Sequence, residues 1–360
     1  MATRLKKDGY QISVVTPKIY SGSRYFEGHD DIRVYRFPFF ARNKLLIEYE
    51  KIPFLRMILY YFSGFLITTY VLFKQRCNLI HAHWVIPTGL IGLLAGLLLQ
   101  IPLVVTIHGS DLRMAMDKPF LLKLFLSVCK KAQHITCVSE TQKREIKRLG
   151  INEEKISLFS MGIDEDFLKV RRGEGQRGSF TVLSNRNFLR IYNVSLLVRA
   201  IPLVLKEEPN TIFLIAGDGL ERDRLEKEAK KLNVNSSTRF LGRIPHDEMP
   251  NLLAQADIYV STSLHDGTSV SLLEAMACGS FPIVTDIPSN REWILDGENG
   301  FLIPTESEDI LAKRIVETIR NNKLLEEASE KNRKTIEEKA NLLKKIKEIA
   351  KVYEESTKFV

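Results

Sequence analysis

The sequence predicts an α/β protein made of two doubly wound, parallel-sheet domains. Three observations carry this. Short β-rich apolar runs alternate with amphipathic helices along the whole chain, which argues for parallel sheets covered on both faces. The alternation occurs twice, on either side of a polar, glycine-rich stretch, Lys169-Val-Arg-Arg-Gly-Glu-Gly-Gln-Arg-Gly-Ser179. Finally, 360 residues is a length for two domains at roughly 100–200 residues each.

The elements follow in order. Met1-Ala-Thr-Arg-Leu-Lys-Lys-Asp8 lacks the apolar core of a signal peptide. Strands are expected at Gln11–Thr16, Ile32–Phe37, Asn78–Ala82, Leu103–Ile107, Ile135–Val138 and Lys155–Phe159 in the first half. The second half offers Ser179–Ser184, Thr211–Ala216, Thr238–Leu241, Ile258–Val260 and Phe281–Thr285. Capping boxes at Ser139-Glu-Thr-Gln142 and Ser289-Asn-Arg-Glu292 predict helix starts. Trp84 to Ile107 is uncharged, but Pro87 and Pro102 divide it into a helix near Thr88–Gln100 and a strand. Met57 to Phe73 is also uncharged. It falls slightly short of the ~20 apolar residues of a spanning helix and reads as a core helix or one lying on a bilayer surface. Aromatics with Lys44, Lys51 and Arg56 upstream suit an interfacial patch. Ile336, Ala340, Leu343, Ile346, Ala350 and Tyr353 form one apolar stripe, which predicts a long C-terminal helix over 336–360. The expected domains are 1–168 and 179–335, with 169–178 as the linker.

Composition narrows the function. Cys77, Cys129, Cys137 and Cys278 lie far apart, with neither metal nor redox spacing, and read as reduced thiols of a cytoplasmic protein. The seven histidines form no HxxxH pair, and no metal site is expected. A net charge of +8 favours anionic partners, namely nucleotide phosphates or an anionic membrane surface. No nucleic-acid motif accompanies the charge, so nucleic acid is not an expected partner.

The richest chemistry lies between His265 and Gly300. Asp266 and Glu274 stand with seven residues between them, the first on a loop and the second in the first turn of a helix. Ser271-Leu-Leu-Glu274 reads as a capping box, which would give Glu274 a structural role. A helix N-terminus also offers unpaired N–H groups and a positive dipole end to a phosphorylated ligand. Carboxylates beside it can accept from sugar or ribose hydroxyls.

The segment Asp266-Gly-Thr-Ser-Val-Ser-Leu-Leu-Glu274-Ala-Met-Ala-Cys-Gly279, followed by Pro282-Ile-Val-Thr-Asp-Ile-Pro288 and Glu292, resembles the donor site of the retaining glycosyltransferases of family four. These have the GT-B fold, two Rossmann-like domains facing each other across a cleft. The family signature has glutamate where Asp266 stands. The resemblance implies transfer of a sugar from a nucleoside-diphosphate sugar (UDP- or GDP-sugar) to a hydroxyl of a glycan or lipid-linked acceptor. It implies retention of configuration, no metal, and no cofactor beyond the nucleotide-sugar co-substrate. By the same resemblance, Arg186 after the strand Ser179–Ser184 faces the donor diphosphate. The family's following lysine is missing, and Arg190 is the candidate for the second charge. Gly217, in Ala216-Gly-Asp-Gly219, lets a strand turn tightly and a ligand approach the backbone, in a motif common to many α/β folds and mainly structural. Ile244, in Leu241-Gly-Arg-Ile244, lies beside the nucleobase. Gly267, Thr268, Ser269 and Val270 present their backbone to the diphosphate. Asp266 faces the sugar hydroxyls, and Glu274 accepts from the ribose. His108, in His108-Gly-Ser-Asp111, reaches the donor sugar from the first domain, while His81-Ala-His83-Trp84 is mainly structural. The last helix crosses back to the first domain in this fold.

Relatives open with a strand and glycine-rich loop, whereas Met1–Pro17 resembles the end of their first helix and their second strand. That departure and Asp266 keep open a catalytically inactive nucleotide-sugar-binding partner protein; a GT-B nucleotide-sugar epimerase is a second alternative. The expected location is the cytoplasm, at the inner face of the cell membrane if the Met57–Phe73 patch engages lipid.

Overall fold

The computed structural model describes residues 1–29, 32–39, 54–173 and 179–358; Lys44 and Lys51 of the expected patch lie outside them. The chain divides into two units, one of residues 1–159 with 343–360 and the other of residues 160–342.

The first unit runs α1 (Ala2–Lys7), β1 (Ser13–Pro17), β2 (Phe26–His29), β3 (Ile32–Phe37), α2 (Phe54–Lys74), β4 (Ile80–His83), α3 (Leu90–Leu99), β5 (Leu103–Ile107), α4 (Ser110–Met116), α5 (Pro119–Lys131), β6 (His134–Cys137), α6 (Glu140–Arg148) and β7 (Ile156–Leu158). Its strands form two sheets, β1-β3-β2 and β4-β5-β6-β7. All pairs are parallel except β2 with β3. Every residue of β5 is buried, as expected for a parallel strand with helices on both faces. At the start of α6, Ser139 Oγ accepts from the Gln142 N–H at 3.3 Å, so that capping serine acts as its sequence indicates.

The second unit contains α7 (Glu165–Lys169), β8 (Thr181–Ser184), α8 (Val194–Glu207), β9 (Ile212–Ala216), α9 (Arg222–Lys231), β10 (Thr238–Gly242), α10 (Met249–Ala254), β11 (Ile258–Ser261), α11 (Val270–Cys278), β12 (Phe281–Thr285), α12 (Pro288–Arg291), β13 (Phe301–Ile303), α13 (Glu308–Ile319) and α14 (Asn322–Lys339). Its sheet is wholly parallel in the order β10-β9-β8-β11-β12-β13. The order therefore reverses between β8 and β11, and an open α/β sheet binds ligands at the carboxyl ends of the strands on either side of such a switch. The last helix, α15 (Leu342–Thr357), belongs almost entirely to the first unit.

Four expectations change. The C-terminal stripe is two helices rather than one. Ala340 leaves helical geometry at φ −131°, because its carbonyl accepts from the Ile163 N–H at 2.7 Å while the Leu342 N–H donates to the Ile163 carbonyl at 3.0 Å. Ile336 and Ala340 consequently pack in the core of the second unit, whereas Ile346 and Tyr353 are buried in the first. Residues 160–168, expected with the N-terminal domain, group with the second unit. The start of the expected linker is also held there. Arg172 donates to Asp257 at 2.9 Å, and Arg333 to the carbonyls of Leu168, Val170 and Ala277; residues 174–178 lie outside the described set. At the second expected capping box, Pro288 opens α12 after Ile287, so Ser289 lies inside the helix and caps nothing.

The fourth change concerns the site. α11 begins at Val270, and its N-cap is Ser269, whose Oγ accepts from the Leu272 N–H at 3.3 Å. Ser271 is not the cap, and Glu274 lies past the first turn. The Ala-Met-Ala-Cys-Gly motif earns its place by packing. Ala275, Met276, Ala277 and Cys278 are fully buried, and Gly279 ends the helix at φ +88°, the left-handed geometry that favours glycine. A Cβ at Gly279 would stand 2.4 Å from Ser329 Oγ. Burying Leu272, Leu273 and Met276 contributes roughly 1.5–3 kcal/mol each, which fixes α11 and the groups at its tip.

Candidate functional site

Arg186 follows β8 by two residues, and Asp266 follows β11 by five. The two strands flank the switch in strand order, so sheet topology itself brings these residues together. Arg186 is 8 % exposed. Its guanidinium donates to Asp266 Oδ2 at 2.6 Å, Ser269 Oγ at 2.9 Å and Ser271 Oγ at 3.0 Å. It also lies over the Tyr192 ring, 4.2 Å from the centroid. Burial opposes the charge, but the Asp266 carboxylate and the phenols of Tyr259 and Tyr192 outweigh it and hold the pKa above the usual arginine value. The Nε group is buried without a partner. The result is a cation pinned against the N-terminal end of α11, where fixed N–H groups add positive potential.

Glycine makes this close approach workable. Gly217 sits at φ +139°, and a Cβ there would stand 2.4 Å from the Arg186 carbonyl oxygen. The loop after β9 can therefore pack directly on the loop after β8. Asp266 Oδ1 accepts from the Gly267 N–H at 2.9 Å, fixing the carboxylate from its own loop. Thr268 and Ser269 are buried, and Val270 opens the helix.

Glu274 is also buried. Burial pushes its pKa up to about 7, with Arg186 opposing. His246 Nδ1 stands 3.9 Å from Glu274 Oε1 on an exposed side chain. Ile244 is half-buried against the same core that holds α11. Arg190 stays apart from this cluster. It is 92 % exposed and stands 3.8 Å from Glu221, because the short helical turn Arg190–Tyr192 directs Tyr192 rather than Arg190 at Arg186. Tyr192 had no signal in sequence, since stacking depends on a fold not yet formed.

His108 belongs to the first unit, at the end of β5. Its Nε2 stands 3.0 Å from His83 Nδ1. Burial, then His83, brings its pKa down to about 4. His81 lies behind, in contact with Tyr353 Oη at 2.5 Å and Thr106 Oγ1 at 2.6 Å. Asp111 is the residue that sequence reading passed over. Fully buried, it accepts from the N–H groups of His108 (3.1 Å), Gly109 (3.0 Å) and Val85 (2.9 Å), clamping the loop that carries His108. The pattern His108-Gly-Ser-Asp111 held that signal, a carboxylate three residues beyond a strand-end histidine. Among the described residues, no group of three or more His, Cys, Asp and Glu side chains is arranged to hold a metal ion.

Known proteins resemble this chain in both halves. The E. coli enzyme UDP-Gal:alpha-D-GlcNAc-diphosphoundecaprenol alpha-1,3-galactosyltransferase is 26 % identical over 90 % of this chain and 84 % of its own length. Sucrose-phosphate synthase from Thermosynechococcus elongatus superposes with a TM-score of 0.80 at 17 % identity, over 98 % of this chain and 90 % of that one. Anabaena HepE in complex with UDP and glucose superposes with a TM-score of 0.71 at 18 % identity, over 96 % and 99 %. These likenesses give the fold as GT-B. The model of Glycosyltransferase Family 4 matches residues 1–167 and that of Glycosyl transferases group 1 matches residues 168–335; with the switch-point geometry, these matches place the chain in the GT-B glycosyltransferases of that family.

Proposed function

We propose that the chain transfers a hexosyl group from a nucleoside-diphosphate sugar to a hydroxyl of a glycan or lipid-linked acceptor, with retention and without a metal. The observation that carries this reading is the buried guanidinium of Arg186, held at the tip of α11 beside Asp266 and two serine hydroxyls. The nucleoside diphosphate is the leaving group in such a transfer, and negative charge grows on its terminal phosphate as the bond from the anomeric carbon to the phosphate oxygen breaks. A cation and a helix N-terminus already fixed in place stabilise that charge without reorganising.

Asp266 pairs with Arg186 at 2.6 Å. A bound diphosphate competes for the guanidinium and releases Asp266 to accept from the sugar hydroxyls. Glu274 accepts from the ribose, and the backbone from Gly267 to Val270 faces the phosphates. His108, neutral because of its surroundings, has Nε2 engaged with His83, which leaves Nδ1 to orient a sugar hydroxyl. Arg190 has no part in this scheme. The UDP-sugar activity in the E. coli relative's name and the UDP bound in the HepE complex favour a uridine donor over a guanosine one.

The test is transfer from UDP- and GDP-sugars to polyprenyl-phosphate-linked and free glycan acceptors, with and without EDTA. The reading expects transfer from one donor class, unchanged by EDTA, with the anomeric configuration kept. Binding without turnover would establish the inactive-partner alternative. Donor isomerised without any acceptor would establish the epimerase.

A further inference from the structure

Among the described residues, one apolar face of helix α2 is left uncovered. Leu55, Ile58, Phe62, Leu66, Tyr70 and Phe73 recur every three or four residues and are 48–79 % exposed. Single exposed apolar residues need no explanation; a contiguous stripe along one helix marks an interaction surface. Helix α3 extends it with Leu94, Leu97 and Leu98, also exposed. The two helices touch at Gly64, where a Cβ would lie 2.7 Å from Ile91 Cδ1. α2 packs on β1 and β3, and α3 on β4 and β5. Side by side above the sheets, both turn their remaining faces outward.

The opposite face of α2 is committed to the protein. Tyr60 is buried edge-on against Phe37 and Phe39, and Ser63 Oγ donates to the Pro38 carbonyl at 2.9 Å. By length and composition α2 could cross a bilayer, but crossing would strip this face from its core. Lying flat keeps both faces satisfied.

Charge indicates what covers the outer face. No Asp or Glu occurs between Glu50 and Asp111, whereas Arg56, Lys74 and Arg76 do. Exposed Lys74 and Arg76 stand at the end of the stripe. The Lys74 ammonium meets Tyr70 Oη at 2.8 Å, a pairing of amphipathic side chains suited to the headgroup level.

We infer that the α2–α3 face docks on a bilayer surface rich in anionic phospholipid. The stripe enters the boundary of the acyl chains, and Lys74 and Arg76 meet headgroup phosphates. This inference is independent of the donor-site reading.

Flotation of the full chain with phosphatidylglycerol–phosphatidylcholine vesicles tests it, with pure phosphatidylcholine as the comparison and sedimentation velocity run in parallel. The chain should float with the anionic vesicles, less so in high salt. The F62E/L66E/F73E variant, folded by circular dichroism, should partition at least about tenfold less, whereas Leu220→Glu, at an exposed site in the second unit, should partition as the parent does. Absence of flotation with anionic vesicles, or flotation unaltered in the triple variant, would overturn the inference. So would a parent that ignores vesicles and sediments as a dimer that the triple variant dissolves, because the face would then belong to a second copy.

Discussion

The guanidinium of Arg186 and the carboxylate of Asp266 meet at 2.6 Å where the strand order of the second unit reverses. The pair holds a positive charge in a buried place, and in the proposed function a bound diphosphate would compete with the carboxylate for it. Replacing Asp266 by alanine leaves that charge uncompensated and should cost roughly 3 kcal/mol of stability. UDP should then stabilise the variant more than it does the parent, since nothing competes for Arg186. Thermal unfolding with and without UDP measures both, and an equal UDP effect on the two proteins would argue against the exchange.

The cap of α11 separates two serines that look alike in sequence. Ser269→Ala should cost about 1 kcal/mol through the lost N-cap and loosen Arg186 as well. Ser271→Ala removes one Arg186 contact but no cap, so its melting temperature should fall less. Equal losses would return the cap to the place the sequence indicates.

Glu274 should make the second unit sensitive to pH. Its folded pKa, about 7, lies above the ordinary carboxyl value because burial disfavours the anion. The associated stability is fully present below the unfolded pKa near 4.5 and is lost as pH rises through about 7. Glu274→Gln should flatten that part of the stability profile between pH 5 and 8. If the ribose donates to the carboxylate, parent affinity for UDP should rise over the same range and variant affinity should not. Calorimetric titrations at several pH values check this.

His108 runs the other way. Its folded pKa, about 4, lies below the unfolded value of 6.5. Its contribution is present above pH 6.5 and is lost as pH falls through about 4. Titration of the His108 ring resonances should give a midpoint well below 6, and His83→Ala should raise it by removing a neighbouring imidazole. A midpoint near 6.5 in the parent would mean the ring is solvated.

The alternation of apolar runs made the two-domain plan legible, since continuous β-branched runs such as Leu103–Ile107 suit only strands covered on both faces. Strands β2 and β13, four and three residues long, are absent from the expected set; β2 is Phe-Glu-Gly-His, with one large apolar residue to mark it. Arg186, Asp266 and Glu274 stand out as candidates because Arg186 follows a strand end and the two carboxylates bracket a helix start. Their mutual contacts do not, since pairing across the switch depends on strand order. Tyr192 carries no signal for that reason, Asp111 shows in sequence only as a carboxylate three residues beyond a strand-end histidine, and Arg190 lies apart from Arg186, since charge alone says nothing about direction. The α11 cap was misplaced by two residues because Ser269 and Ser271 both stand before apolar residues, and only the fold decides between them.

Gly217 tests whether the loop behind Arg186 is held by backbone proximity. Gly217→Ala puts a Cβ against the Arg186 carbonyl in a left-handed geometry, which should cost roughly 1–3 kcal/mol and weaken UDP binding together with stability. A variant as stable as the parent would show that the two loops move apart freely.

The most direct test of the donor site is calorimetric titration of UDP into the parent, Arg186→Gln and Arg186→Lys, each shown to be folded. Losing a charge-assisted contact worth roughly 1.5–3 kcal/mol should weaken Arg186→Gln by about ten- to a hundredfold, with Arg186→Lys between it and the parent. Equal affinity in all three would contradict the account, because the diphosphate would then bind somewhere other than the tip of α11.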